Sequence, residues 1–222
     1  MNSNFTRAQI KAQAKEQLKG KVGSYILVTL AYVGIAMVIG FIGGLLSALV
    51  PILGTIAIYI VLPPLMIGFY MVFLNGTYGD KPEVATLFEG YKGSMFGKSL
   101  GLYWLVVLFT FLWTMLLIIP GIIKSFAYSM SWYILAENPD MKAKEAIEES
   151  KIITNGHKMD LFVLGLSFIP WILLCYVTLG IATFWVGPYM QLTYTNFYHN
   201  IKRQQAPAVE EVYTEPAAEV IE

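Results

Sequence analysis

The stretches SYILVTLAYVGIAMVIGFIGGLL (24–46) and ALVPILGTIAIYIVLPPLMIGFYMVFL (48–74) contain no charged residue. Runs this long decide the fold class first. A bilayer core needs about 20 apolar residues per helix, whereas the surface helix of a soluble domain carries a polar face. Residues 99–119 and 161–198 repeat the pattern, and the second run is long enough for two helices. Only 14% of the chain is charged, against about 25% in soluble domains. The expectation is an all-α, polytopic membrane bundle with spans near 24–46, 53–74, 99–119, 121–137, 160–178 and 180–200. The first run is too long for a signal-peptide core and reads as an uncleaved helix. Pro51 and Pro64 leave it open whether the second span is straight or re-entrant.

The basic residues set the orientation. Of 15 Lys and Arg, all but Lys124 fall before the first span, after the last, or in the connections 75–98 and 138–159. The other three connections carry no charge. The positive-inside rule then places both termini and both long loops in the cytoplasm. The spans group into three hairpins with tight outer turns at LGTI (53–56), PGII (120–123) and LGIA (179–182). Gly54, Pro120 with Gly121, and Gly180 are the expected turn residues.

An amphipathic elbow precedes each hairpin. In the first, 6–19, Thr6 and Gln9 have capping-box spacing, Phe5 and Ile10 suit a hydrophobic staple, and Arg7, Lys11, Lys15 and Lys19 form a basic face. In the second, 82–96, Val84, Leu87, Phe88 and Tyr91 share a face. The third, 139–154, has Asn138 as expected cap and Pro139 at its first position. Three elbow-plus-hairpin units (1–75, 76–138 and 139–202) make one membrane domain and suggest an internal repeat. Residues 203–222, with five glutamates, read as a disordered acidic tail.

PGIIKSFAYSMSWYILAENP (120–139), AIEESKIITNGHK (146–158), LFVLGLSFIPW (161–171), TLGIATFWVGPY (178–189) and NFY (196–198) occur in this order. Together they resemble a bacterial family of integral membrane proteins, domain of unknown function 975. The basic lead-in and FLNGTYGDKPEVATLF (73–88) fit it more loosely. The resemblance implies a multi-helical protein of the cytoplasmic membrane and carries no activity, substrate or cofactor.

The residues indicate little chemistry. The chain has no HExxH, no Walker-type glycine loop and no carboxylate inside an expected span; Glu137 and Asp160 fall at span ends. His157 and His199 have too few partners for a metal site. Lone Cys175 leaves no intramolecular disulfide. The expectation is a non-enzymatic scaffold, regulator or assembly factor, without cofactor; the alternative is a transporter or lipid-handling protein with a polar cleft between the fourth and sixth spans, and an intramembrane enzyme ranks lowest. Its expected partners are membrane lipids and a cytoplasmic or membrane protein, not nucleic acid. One polar set stands out: Lys124, Tyr128 and Ser131 on the fourth span, and Gln191, Thr195 and Tyr198 on the sixth. These residues read either as interhelical hydrogen-bonding glue or as a polar cleft for a lipid headgroup or small solute. Lys124, close to its turn, reads as an outer-leaflet anchor with a snorkelling stem.

Overall fold

The computed structural model describes residues 5–214, and among them every regular element is helical. The order is α1 (Arg7–Leu18), α2 (Val22–Leu49), α3 (Pro51–Thr77), a 3-10 helix (Val84–Tyr91), α4 (Gly93–Leu116), α5 (Ile118–Tyr128), α6 (Ser131–Glu137), α7 (Ala143–Ile153), α8 (Lys158–Leu166), α9 (Ile169–Val177) and α10 (Thr183–Thr214). Four stretches are long and apolar enough to cross a membrane: Val22–Leu49, Pro51–Thr77, Gly93–Leu116 and Lys158–Val177. The expected spans 121–137 and 180–200 are not among them. The first is divided at Ser129–Met130, where Ser129 and Ser131 hydroxyls donate to the Phe126 and Tyr128 carbonyls and compete with the helix ladder. The second is too polar on average, because it carries Gln191, Asn196, His199 and Asn200; α10 turns Thr193, Thr195 and Asn196 into the interior.

Two reversals differ from expectation. α2 and α3 meet at a single extended residue, Val50, and Gly54 is already helical. Its missing side chain lets Ser47 and the Gly43 carbonyl approach, and Gly43 in turn receives Ile58. The α4–α5 reversal likewise lies at extended Leu117, not at Pro120–Gly121; both of these residues sit in the first turn of α5. A Cβ on Gly121 would strike Thr114. In both places a glycine stands four residues after the extended residue and faces the position three before it. Small residues at such crossings let helix backbones touch. Gly180 lies in its expected turn, with φ +89°.

Contacts within the helix pairs run early-to-late. Tyr25 stacks on Phe73 and Tyr32 on Phe69; Phe109 meets Tyr128; Phe168 meets Tyr194 and Trp171 meets Tyr189. α3 is one unbroken helix despite Pro63 and Pro64. The 3-10 helix lies against this proline step. Tyr91 donates its hydroxyl to the Val61 carbonyl at 2.7 Å, and Gly90 and Gly68 let the two backbones touch.

Burial is segregated along the helices. Leu65, Phe73, Leu74, Ile134, Leu135, Ile147, Phe197 and Ile201 are buried near the charged connections. At the other ends Leu49, Met115 and Val177 are 81%, 76% and 82% exposed.

Two boundaries shift. α7 starts at Ala143, four residues after Pro139, because the Glu145 carboxylate accepts from the Lys142 backbone N–H at 3.0 Å. Asn138 instead closes α6, donating to the Ile134 carbonyl at 3.2 Å. α10 continues to Thr214, past the expected start of the tail at 203. Arg203, Gln204 and Gln205 are good helix formers and extend it. Residues 215–222 of the expected tail lie outside the described residues.

Candidate functional site

The structure divides the polar set into two groups. Lys124 places its ammonium 4.6 Å from the Trp113 ring centroid, one turn before the Leu117 reversal. Tyr128 is buried beside Phe109, with Lys151 of α7 5.8 Å from its ring. Ser131 is buried, and its hydroxyl is held by the Tyr128 carbonyl. On α10, Gln191 donates to the Tyr133 hydroxyl at 3.0 Å, and the Thr195 hydroxyl donates to the Gln191 carbonyl at 2.9 Å. Thr195 is thus paired in the core, and half-buried Gln191 donates one hydrogen bond into it. None of the hydrogen bonds they make joins Lys124 to Gln191 or Thr195.

A denser polar site lies at the charged ends of α3, α6 and α10. Glu137, the last residue of α6, accepts from Lys202 at 2.5 Å, from Tyr198 on the same oxygen, and from Tyr78 at 2.8 Å on the other. Tyr198 stacks on Tyr133. His199 faces the Thr77 hydroxyl at 2.8 Å and the edge of the Tyr78 ring. Both carboxylate oxygens of Glu137 are occupied by donors from two other helices, which makes the group a strut. Beside it a cavity of about 270 Å³ is lined by Gln13, Gln17, Thr77, Tyr78, His199 and Arg203, among others. Glu149 of α7 is 4% exposed. Burial pushes its carboxyl above the usual range, Lys202 opposes this, and Glu137 adds to it.

Glu137 reads in the sequence only as a span boundary. The signal for its role is there in principle: a single carboxylate ends one apolar run, and Lys202 follows another. Half-buried charges of opposite sign in such places need partners.

The first elbow is built as its sequence spacing predicts. Gln9 N–H donates to the Thr6 hydroxyl, and the Gln9 carboxamide oxygen accepts from Thr6 N–H at 2.7 Å. Its buried face, Ile10, Ala14 and Leu18, lies against α10. The basic face meets the third helix pair. Lys11 donates to the Ser167 hydroxyl at 2.7 Å and lies over the Phe168 ring; Lys15 is 5.9 Å from the Tyr189 ring. Burial, then the charge of Lys15, holds the Lys11 ammonium below its usual pKa. Gln17 and Asn196 exchange two side-chain hydrogen bonds, at 3.0 and 2.8 Å.

No curated protein and no solved structure matches the chain. The profile of one family, described as protein of unknown function (DUF975), matches residues 1–124 and 114–205. These matches cover the apolar helices and both polar groups, and the chain belongs to the DUF975 family.

Proposed function

We propose that the chain crosses the bacterial cytoplasmic membrane six times as three hairpins, with both termini inside, and acts there as a non-enzymatic scaffold or assembly factor. One observation carries the reading: large apolar side chains are bare at the ends away from the charged connections and buried at the ends near them. A bilayer covers such bare ends, and short hairpins satisfy their backbone internally. The elbows support three related units. The second (84–91) lies on α3 of the first hairpin, the third (α7) on α4 and α6 of the second and equally on α10 of its own unit, and α1 on α10 of the third. Each elbow thus reaches the hairpin that precedes it in a cyclic order, and α7 also bridges to the hairpin that follows it. The partner surface is the charged platform these elbows form, where Lys144 and Glu148 are exposed.

Two experiments test this reading. In a Cys175→Ser background, single cysteines at Ile52, Leu117 and Leu179 are expected to react with an impermeant maleimide from outside. Cysteines at Lys81 and Lys144 are expected to react only after permeabilisation. Labelling of Lys144→Cys and Leu179→Cys from one side would end the six-crossing reading. For the scaffold role, cross-linking in native membranes is expected to capture a reproducible protein partner, lost when Lys144 and Glu148 are reversed in charge. The absence of any such partner would retire it.

A further inference from the structure

Between α1 and the third helix pair runs an apolar groove of about 410 Å³. Trp171 and Leu174 of α9 and Trp185 and Val186 of α10 form its walls, and Lys15 and Lys19 of α1 line it too. Its polarity follows the molecule's own axis. Lys15 stands by Tyr189 toward the charged connections, while Ala182, also lining the groove, lies next to the bare Gly180 turn. From Tyr189 to Ala182 the backbone rises about 10 Å, roughly two thirds of the hydrocarbon depth of one leaflet. Neither Lys15 nor Lys19 forms an ion pair among the described residues, and both are exposed. Lys11, one turn before Lys15, adds a third positive charge to this face.

We infer that the groove binds one anionic phospholipid, its phosphate on Lys15 and Lys19 and an acyl chain between Trp171, Leu174, Trp185 and Val186. The inference rests on the membrane reading above and is independent of the scaffold role. Charge decides the occupant. An apolar slot alone accepts any acyl chain, but two unpaired ammoniums four residues apart on one helix face repel each other until an anion joins them. A phospholipid supplies that anion and the chain at the spacing the groove offers. The lysines sit at the level of the charged connections, which places the lipid in the leaflet on that side.

The full chain, delipidated in detergent, is titrated with phosphatidylglycerol or phosphatidylcholine and read by native mass spectrometry. One phosphatidylglycerol is expected to be retained with roughly tenfold preference, since each interfacial lysine adds appreciable attraction to anionic lipid. The double variant Lys15→Gln, Lys19→Gln is expected to lower that preference to about twofold or less. Ala182→Phe, which narrows the slot, is expected to reduce retention of both lipids. Unaltered wild-type protein supplies a second readout. Phosphatidylglycerol brominated on its acyl chain should quench tryptophan emission more than brominated phosphatidylcholine does, and the difference should fall by at least half in Trp171→Phe, Trp185→Phe, any remainder being that of Trp113 beside Lys124. Equal retention of the two lipids by the wild type, an unchanged preference in the lysine variant, or equal quenching overturns the proposal. So does a dimer that Ala182→Phe dissociates, because a second copy would then be the occupant. A wild type without lipid preference but with the cysteine-labelling pattern intact overturns the lipid site and leaves the six-crossing reading standing.

Discussion

Tyr198 and Lys202, one turn apart on α10, donate to the same carboxylate oxygen of Glu137 at the end of α6. This joint fixes α10 relative to the α5–α6 segment, and Tyr78 ties the end of α3 into it. Glu137→Gln removes the charge that holds Lys202 and leaves two phenols competing for a weaker acceptor. A loss of about 2–3 kcal/mol is expected, read as a lower midpoint of detergent-induced unfolding. A midpoint unchanged from wild type would contradict the strut.

The contact between the 3-10 helix and α3 has no room for a methyl group. Gly90→Ala would drive a Cβ into the Pro64 carbonyl, and Gly68→Ala one into Leu87. Each is expected to cost about 1–3 kcal/mol. Gly44→Ala is the control, since nothing lies within 4 Å of its added Cβ, and it should be neutral or slightly stabilising. Equal effects at Gly90 and Gly44 would rule out this contact as the cause.

Glu149 gives stability a pH dependence of known sign. Its folded-state carboxyl holds its proton to higher pH than the ordinary 4.5, because of burial. As pH rises past that ordinary value the unfolded chain releases the proton first, so stability falls until the folded carboxyl ionises as well. Glu149→Gln removes this fall. The variant should match the wild type near pH 4 and exceed it at pH 8, measured by thermal unfolding at both pH values. A variant less stable than the wild type at pH 8 would falsify the assignment.

Lys124→Ala should leave insertion and orientation intact, since the ammonium lies near the reversal at Leu117 and stacks on Trp113. Its expected cost is under about 1 kcal/mol. Trp113 emission should shift, and contact with anionic lipid in the outer leaflet should weaken. Emission and lipid contact both unchanged would show that the ammonium meets neither the ring nor lipid.

The sequence makes the helical class legible because period and charge are local properties. Uninterrupted apolar runs announce α2, α3 and α4, and Thr6 with Gln9 announces the start of α1. Turn positions are less legible. Gly54 and Gly121 look like turn residues, yet each serves a helix crossing, and a glycine used for close approach has the same one-letter signature as a glycine used for reversal. Asn138 looks like a start and acts as a stop, since its side chain serves either neighbour equally well in sequence. The polar set illustrates the deeper limit. Lys124 and Gln191 share a role only if two helices meet there, and pairing between helices is not a local property. The same holds for Glu137, whose partners Tyr78, Tyr198 and Lys202 lie 59, 61 and 65 positions away.

The seating of α1 on α10 has a consequence for biosynthesis. Gln17 and its partner Asn196 stand 179 positions apart. At ribosomal rates of about 5–20 residues per second, roughly 10–40 s separate their synthesis. Until α10 begins to emerge at Thr183, Ile10, Ala14 and Leu18 lack their main seat in their own chain, and the membrane surface or a chaperone covers them. Docking of the first helix therefore reports that the last one has arrived. A chain truncated before Thr183, where α10 begins, keeps this apolar face uncovered.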